Sequence, residues 1–147
     1  MIAIDSCELP ISVALLNEYH IHEKQSTNPI NHSSDALMPM LIDLLCELNL
    51  TTHSIDVWIV SNGPGSYTGL RIANAIVKGI ISKEDIETKR KDETFIVGSQ
   101  YYTEVDLSFT ATHFFDLGKK KFQENKFSNQ ALFTPQYDLK DKNLLND

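Results

Sequence analysis

The sequence predicts an α/β protein with elements in the order β-β-β-α-β-α, followed by a shorter carboxyl-terminal part. Three observations support this prediction. Residues 1–4, 11–16 and 20–26 are apolar or alternating segments, residues 36–48 and 69–81 have helical periodicity, and residues 57–60 form an apolar run between the helices. The chain has 147 residues, of which 41% are hydrophobic and 22% charged. That size allows one good core and a small second lobe.

The first three segments are predicted to be strands. Residues 1–4 and 11–16 are separated by Glu8, Leu9 and Pro10, which indicates a hairpin. Residues 20–26 alternate in polarity, as expected of a strand with one solvent-facing side. His20 and His22 would share that side, and because no carboxylate or thiol pattern completes a ligand set, we expect exposed histidines there and no metal.

The first helix is predicted over residues 36–48, after a segment rich in residues that cap helices. Pro39 falls near the first turn, where its missing backbone N–H is least costly. The apolar residues occupy two neighbouring rows, which leave only a narrow polar strip through Asp43 and Glu47. The rows are Leu37, Leu41, Leu44 and Leu48, and Met38, Ile42 and Leu45. A helix of this kind is expected to be buried on more than one side.

The second helix, over residues 69–81, has the same property. Its polar residues Arg71, Asn74 and Lys78 form one stripe, and apolar residues cover the rest. The charged segment 82–93 is predicted to be a linker, which gives domains at 1–82 and 83–147. Beyond it we expect a strand at 94–97, mixed β-prone sequence at 101–110 and a helix at 113–122.

Composition excludes several classes of protein. The formal net charge is −7, whereas tight binding to phosphate backbones needs clustered Lys and Arg, so we expect no RNA binding by the chain alone. The basic cluster at 89–91 is interleaved with acidic residues and fits a solvated linker.

Cys7 and Cys46 form no CxxC pair, so we expect two buried thiols. No segment approaches the roughly 20 apolar residues of a membrane span, and no leader is evident, so a cytoplasmic protein is expected.

The glycine-rich loop between the strand at 57–60 and the second helix is the most distinctive motif. A strand, a glycine turn and a helix amino terminus together suit an anion. However, the Walker A pattern fails, because Thr68 stands where the second glycine is needed and no lysine follows. The pattern GxSxG fails around Ser66 as well. A tight turn that sets the approach of strand and helix is the favoured interpretation, with anion binding as the alternative.

Asp5 ends the first strand, where a nucleotide-binding kinase could place a metal-linked carboxylate. Glu8 follows in the adjacent turn and would repel a phosphate. We therefore expect Asp5 to be a structural acid that is hydrogen-bonded to nearby backbone. No catalytic residue, cofactor site or metal site is predicted.

Several segments resemble the TsaB (YeaZ) family. They are residues 1–5, 11–16, the pair His32-Ser33 with Leu37, Pro39, Leu44 and Leu45, and above all one specific string. That string is Gly63-Pro64-Gly65-Ser66-Tyr67-Thr68-Gly69-Leu70-Arg71. The resemblance covers residues 1–81 in order and returns more weakly at 115–127 and 131–137, while much of the family's usual second lobe is absent.

The resemblance implies an actin-like ATPase (ASKHA) fold with an RNase H-like core, a mixed sheet, flanking helices and a reduced second lobe. It further implies a non-catalytic subunit that activates a TsaD-type transferase in the synthesis of threonylcarbamoyladenosine at position 37 of tRNA, with a TsaE-type ATPase in the complex. Contact with tRNA would be indirect. A homodimer through the same surface stays open as an alternative when the partner is missing.

In this family the first two helices of each subunit pair in a bundle. The resemblance therefore implies an interface on the two predicted helices, where Gly69 and Ala73 would permit close approach. The interface residues would be Leu37, Met38, Leu41, Ile42, Leu45, Gly69, Leu70, Ile72, Ala73, Ile76 and Ile80. Two other functions stay open: a small ATP-dependent phosphotransferase that uses Asp5, and a metallopeptidase, for which no HExxH motif is present.

Overall fold

A computed structural model describes residues 1–6, 9–26, 33–61, 66–88, 95–98 and 110–126. Several predictions lie outside these residues. They concern Cys7, Glu8, the first three residues of the family motif at 63–65, the basic cluster at 89–91, the β-prone sequence at 101–109 and the closing segment at 131–137.

The described residues form one mixed sheet of five strands, which confirms the α/β prediction. The strands are β1 (Ile2–Asp5), β2 (Ile11–Asn17), β3 (His20–Ser26), β4 (Trp58–Ser61) and β5 (Phe95–Gly98). They lie in the order β3-β2-β1-β4-β5. Strands β1 and β2 pair antiparallel as the predicted hairpin, β3 pairs antiparallel with β2, and β1, β4 and β5 run parallel. The central strand β1 is therefore bonded on both sides and completely buried.

Two long helices cover one face of this sheet. Helix α1 spans Ser33–Glu47 and helix α2 spans Tyr67–Thr88. Helix α1 begins earlier than predicted, so Pro39 lies inside the helix and not at its first turn. Helix α2 is 22 residues long and continues through 82–88, so the prediction of a linker is wrong for those residues.

The main core lies between the sheet and these two helices. Side chains from one face of the sheet, including Ile2, Ile4 and Trp58, pack against Leu37 and Leu41 of α1. From α2, the core receives Ala73, Val77 and Ile81, which recur at the spacing of one helix face. The apolar periodicity of each helix thus places one row directly on the sheet.

The opposite face of the sheet is covered by helix α3 (Phe114–Gln123) and a short 3-10 turn before it (Ala111–His113). Phe114 and Phe115 pack against a second core cluster that includes Ile59. The Ala111 amide donates to Ser12 Oγ on β2 at 2.7 Å, which fixes this turn to the sheet. The predicted helix at 113–122 is confirmed within one residue at each end.

Of the described residues after position 82, strand β5 belongs to the same sheet and helix α3 packs against it. Strand β5, close to the prediction at 94–97, pairs with β4 in parallel from Trp58 to Ser61. Helix α3 contacts both β4 and β5. The division into domains at 1–82 and 83–147 stays a prediction, although these elements complete the amino-terminal sheet. None of the described helices is both long and apolar enough to span a membrane.

Candidate functional site

The two predicted interface helices each carry a buried row and an outward row of apolar residues. The side chains that are buried in the chain's own core cannot contact a partner without repacking. They are Leu37, Leu41, Leu45, Leu70 and Ala73, each no more than 5% exposed. Gly69 is buried as well. Gly69 and Ala73, where a close approach of the partner was predicted, are therefore covered by the chain itself.

The other predicted interface residues face outward. Met38 and Ile42 on α1 are 38% and 48% exposed. Ile72, Ile76 and Ile80 on α2 are half-buried, and pack only their inner atoms against the core. Five apolar side chains on two adjacent helices therefore share one surface, which we call the α1/α2 face. Contiguous apolar surface of this kind is characteristic of protein-binding sites.

A groove of about 390 Å³ crosses the α1/α2 face. Its apolar wall consists of Met38, Ile76 and Ile80, and its rim includes Thr52 and His53 from the 3-10 turn Thr52–Ser54. Gly79 also lines the groove, and a Cβ built at that position would have no atom within 4 Å. The absence of a side chain at Gly79 thus leaves room for a side chain from another molecule.

The described end of the family motif has a structural role. The Ser66 side chain caps helix α2, because its Oγ accepts a hydrogen bond from the Gly69 amide at 3.2 Å. The Gly69 carbonyl accepts a second bond, from Ser6 Oγ at the end of β1, at 2.8 Å. These contacts fix the start of α2 against the central strand; the predicted tight turn itself lies outside the described residues and stays a prediction.

The remaining motif residues lie on the first turns of α2. Tyr67 and Thr68 are exposed, whereas Leu70 is buried in the core. The guanidinium of Arg71 lies 5.1 Å from the centre of the Tyr67 ring, and Arg71 Nη1 donates to the Tyr67 hydroxyl. The sequence pattern places these two side chains four residues apart, on the same side of the helix.

Asp5 lies at the end of the central strand, as expected, and is 3% exposed. It sits opposite Ser12 in the β1–β2 register and is not free of partners. A carboxylate so deeply buried would have to be uncovered before it could bind a hydrated cation. Among the residues that the structure describes, no group of three or more His, Cys, Asp or Glu side chains could hold a metal ion.

Three features differ from the sequence predictions or were not visible in them. Asn74 was expected on a polar stripe, but it is buried and its Nδ2 donates to the Leu70 carbonyl of its own helix. Cys46 was expected to be buried and is exposed. The groove at Gly79 was missed because its rim comes from the 3-10 turn, which no periodic pattern reveals.

Comparison with known proteins finds one matching family model and several curated relatives. Residues 21–88 match the family model described as "TsaD: tRNA N6-adenosine threonylcarbamoyltransferase". The chain is 30% identical over 86 residues to the tRNA threonylcarbamoyladenosine biosynthesis protein TsaB of Bacillus subtilis, covering 58% of this chain and 38% of that protein. With the TsaB of Escherichia coli it shares 31% identity over 80 residues, or 54% of this chain and 34% of that protein. The chain thus spans little more than a third of the length of these curated relatives.

Solved structures agree with the fold. YeaZ from Pseudomonas aeruginosa superposes with a TM-score of 0.53 at 30% sequence identity, over 67% of this chain and 42% of that one. A second structure is described as an uncharacterized protein with similarity to peptidase YEAZ from Pseudomonas aeruginosa. It superposes with a TM-score of 0.67 over 92% of this chain and 97% of its own, at 18% identity. At that identity the second likeness concerns the fold alone.

Proposed function

The chain belongs to the TsaB (YeaZ) family, and on that premise we propose that it is a non-catalytic subunit in the synthesis of threonylcarbamoyladenosine on tRNA. In this proposal the fold is of the actin-like ATPase (ASKHA) type without a working nucleotide site. The protein acts in the cytoplasm as the scaffold and activator of a TsaD-type transferase, which it binds through the α1/α2 face.

The observation that carries the proposal is the outward apolar row of α1 and α2. Ile42 is 48% exposed on a helix whose buried row already packs on the sheet, so about half of its side chain stays in contact with water in the isolated chain. Moving such a side chain out of water contributes roughly 1.5 to 3 kcal/mol. Several together can exceed the cost of association. A partner helix is the natural occupant of the groove.

The wider assembly follows from the family. A TsaE-type ATPase would join the complex, and the transferase would perform the chemistry on tRNA. In the absence of the transferase, the same face would allow a homodimer, since an interface between two like subunits is self-complementary. The chain spans only part of its relatives, so the proposal concerns the pairing surface that the described residues contain.

Co-expression with the TsaD-type protein of the same organism, followed by size-exclusion chromatography, tests the proposal. We expect the native chain to co-elute with the transferase. Ile42→Glu should abolish co-elution, because it would bury a carboxylate in the apolar contact. Gly79→Leu should weaken it strongly by filling the groove from within.

Ile21→Glu is the matched control. Ile21 is 53% exposed, much like Ile42, but it lies on strand β3 at the edge of the sheet. This variant should co-elute as the native chain does. The interface would be misplaced if Ile21→Glu were as harmful as Ile42→Glu, and the proposed function would fail if the native chain formed no complex.

The alternative phosphotransferase has a separate test. It requires nucleotide binding by the chain alone that is lost in Asp5→Ala. Because Asp5 is buried, that variant can also lose stability, so binding should be measured by calorimetry on the native chain first. We expect no heat of nucleotide binding; a saturable signal would support the enzyme and count against the non-catalytic role.

A further inference from the structure

Helix α3 is fixed to the sheet in one orientation. A Cβ built on Gly118 would lie 2.2 Å from Ile59 Cδ1 and 3.1 Å from Ile59 Cγ1, so the helix backbone approaches β4 as closely as a glycine permits. Phe114 and Phe115 are buried on the same side. The opposite side of α3 must therefore face solvent.

That outward side carries a concentration of positive charge. Residues 110–126 contain four lysines, at 119, 120, 121 and 126, against the carboxylates of Asp116 and Glu124. Asp116, Lys119, Lys120 and Gln123 are all exposed and recur at the spacing of one helix face. We call this set, with Phe122 and Lys126, the α3 basic face.

The carboxylates neutralise this charge only in part. Glu124 Oε2 lies 2.7 Å from Lys126 Nζ, and this hydrogen bond holds the pKa of Glu124 below its ordinary value. The pKa of Lys121 is lowered, first by partial burial and then by the nearby Lys126 ammonium. In the part of the chain that the structure describes, no ion pair is seen at Lys119 or Lys120.

The net charge of −7 does not decide what this face attracts. At an ionic strength near 0.1 M, charges more than about 10 Å apart are largely screened from one another. A ligand at α3 therefore senses mainly the local charges, among which the four lysines outnumber Asp116 and Glu124, although Lys120 also interacts with Glu124 and lowers its pKa. The expectation that the chain alone does not bind RNA rested on the net charge and on the cluster at 89–91, and it did not consider α3.

We propose that the α3 basic face contacts the phosphate backbone of the tRNA on which the complex acts, an inference that rests on the proposed function. Lysine ammonium groups are suited to phosphates as flexible point charges. The face lies across the sheet from the α1/α2 face, so both surfaces can be occupied together.

An RNA fits this face better than the two other polyanions that proteins commonly meet. An amphipathic helix binds a membrane by inserting its apolar side, but that side of α3 is already buried on the sheet. An acidic protein would need lysines aimed at single carboxylates. Lys119 and Lys120 are instead exposed side by side without an ion pair among the described residues, which matches the diffuse charge of a nucleic-acid backbone.

The test is fluorescence anisotropy of a labelled tRNA transcript titrated with the full chain at 50 mM and at 150 mM salt. We expect weak binding, with a dissociation constant on the order of 10⁻⁴ M or tighter at the lower salt. The double variant Lys119→Glu/Lys120→Glu should bind about tenfold more weakly, with a shallower dependence on salt.

Two further variants change the net charge equally at different places. Asp116→Lys adds positive charge within the α3 basic face, whereas Asp43→Lys adds it on α1, on the other side of the sheet. Asp116→Lys should tighten tRNA binding severalfold and Asp43→Lys should leave it within twofold of the native chain. Equal tightening by both would show that only net charge matters and would overturn the proposal.

Three further results would overturn the proposal or separate it from the proposed function. No tRNA binding at any attainable concentration, or a larger response to phosphatidylserine vesicles or to polyglutamate than to tRNA, would overturn the proposal. Co-elution with the transferase distinguishes this inference from the proposed function. The double variant Lys119→Glu/Lys120→Glu should still co-elute with the transferase. If co-elution holds while tRNA binding is insensitive to α3, this inference fails alone; if the native chain does not co-elute, the proposed function fails.

Discussion

The two faces of the sheet are covered by helices in opposite ways. Helices α1 and α2 bury one apolar row and leave a second row, with Met38 and Ile42, in contact with solvent. Helix α3 buries its aromatic side against the sheet and shows solvent mainly polar and charged residues. The first layer therefore leaves apolar side chains exposed, whereas the outer side of the second carries more lysines than carboxylates.

Two glycines show the same contrast at atomic scale. Both Gly79 and Gly118 lie inside helices, where glycine is less favourable than alanine by about 1 kcal/mol. Gly118 is required by packing, because any side chain would enter the space of Ile59. Gly79 is not required by the packing of this chain, because a Cβ there would meet no other atom. What the glycine does provide is space in the groove.

The largest expected effect separates the two rows of α1. Leu41 is 1% exposed and Ile42 is 48% exposed. Leu41→Glu would place a carboxylate in the core and should lower the free energy of unfolding by more than about 4 kcal/mol. Ile42→Glu should change it by less than about 1 kcal/mol. Urea denaturation followed by circular dichroism measures both.

Equal stability of these two variants would contradict the assignment of the rows. The prediction also bears on how the interface is tested, because loss of a complex in Leu41→Glu would reflect unfolding of the chain. Only the outward row gives variants that remain folded.

The next largest effect on stability is expected where helix α3 packs on the sheet. Gly118→Ala should cost about 1 to 3 kcal/mol, because the added methyl group overpacks the contact with β4. Ile59→Val removes the Cδ1 atom that the methyl group would meet, so the double variant should be more stable than the sum of the single effects predicts. Thermal denaturation of the native chain, the two single variants and the double variant measures the coupling free energy between positions 118 and 59. Strict additivity would show that α3 and Ile59 are not in close contact.

Most elements could be predicted from the sequence because their signals are local. The apolar run of β1 and the leucine periodicity of α1 each lie within a few residues. Ser66 could be placed at a turn before a helix for the same reason. The pairing of β1 with β4 is a contact between distant segments, and only the family resemblance implied a mixed sheet.

The candidate site was less accessible to sequence reasoning. Both apolar rows of α1 consist of large aliphatic residues, so composition could not decide that Leu41 faces the sheet and Ile42 faces solvent. Asn74 is polar yet buried, with its Nδ2 bonded to a carbonyl of its own helix and its Oδ1 without a hydrogen-bond partner, so polarity alone placed it on the wrong side. Residues 82–88 continue α2 without an apolar stripe of their own, so periodicity ended the helix too early.

A moderate effect is expected where α2 is attached to the sheet. Ser66→Ala removes the side-chain oxygen that accepts from the Gly69 amide, and should cost about 1 kcal/mol. Ser66→Asp keeps an acceptor at the helix amino terminus and should restore most of the loss. Chemical denaturation of both variants checks this; an unchanged Ser66→Ala would mean that the Ser6 contact alone positions the helix.

The smallest effect is the sharpest test of the contrast between the two faces. Gly79→Ala should raise the free energy of unfolding by about 0.5 to 1 kcal/mol, because alanine is the better helix former and its methyl group meets nothing. The same change at Gly118 should have the opposite sign, although both positions lie within helices. If Gly79→Ala stabilises the chain while weakening its complex with the transferase, the glycine is unfavourable for folding and useful for pairing. If it stabilises the chain and leaves the complex unchanged, the groove at Gly79 takes no part in the contact and the interface must rest on Met38 and Ile42.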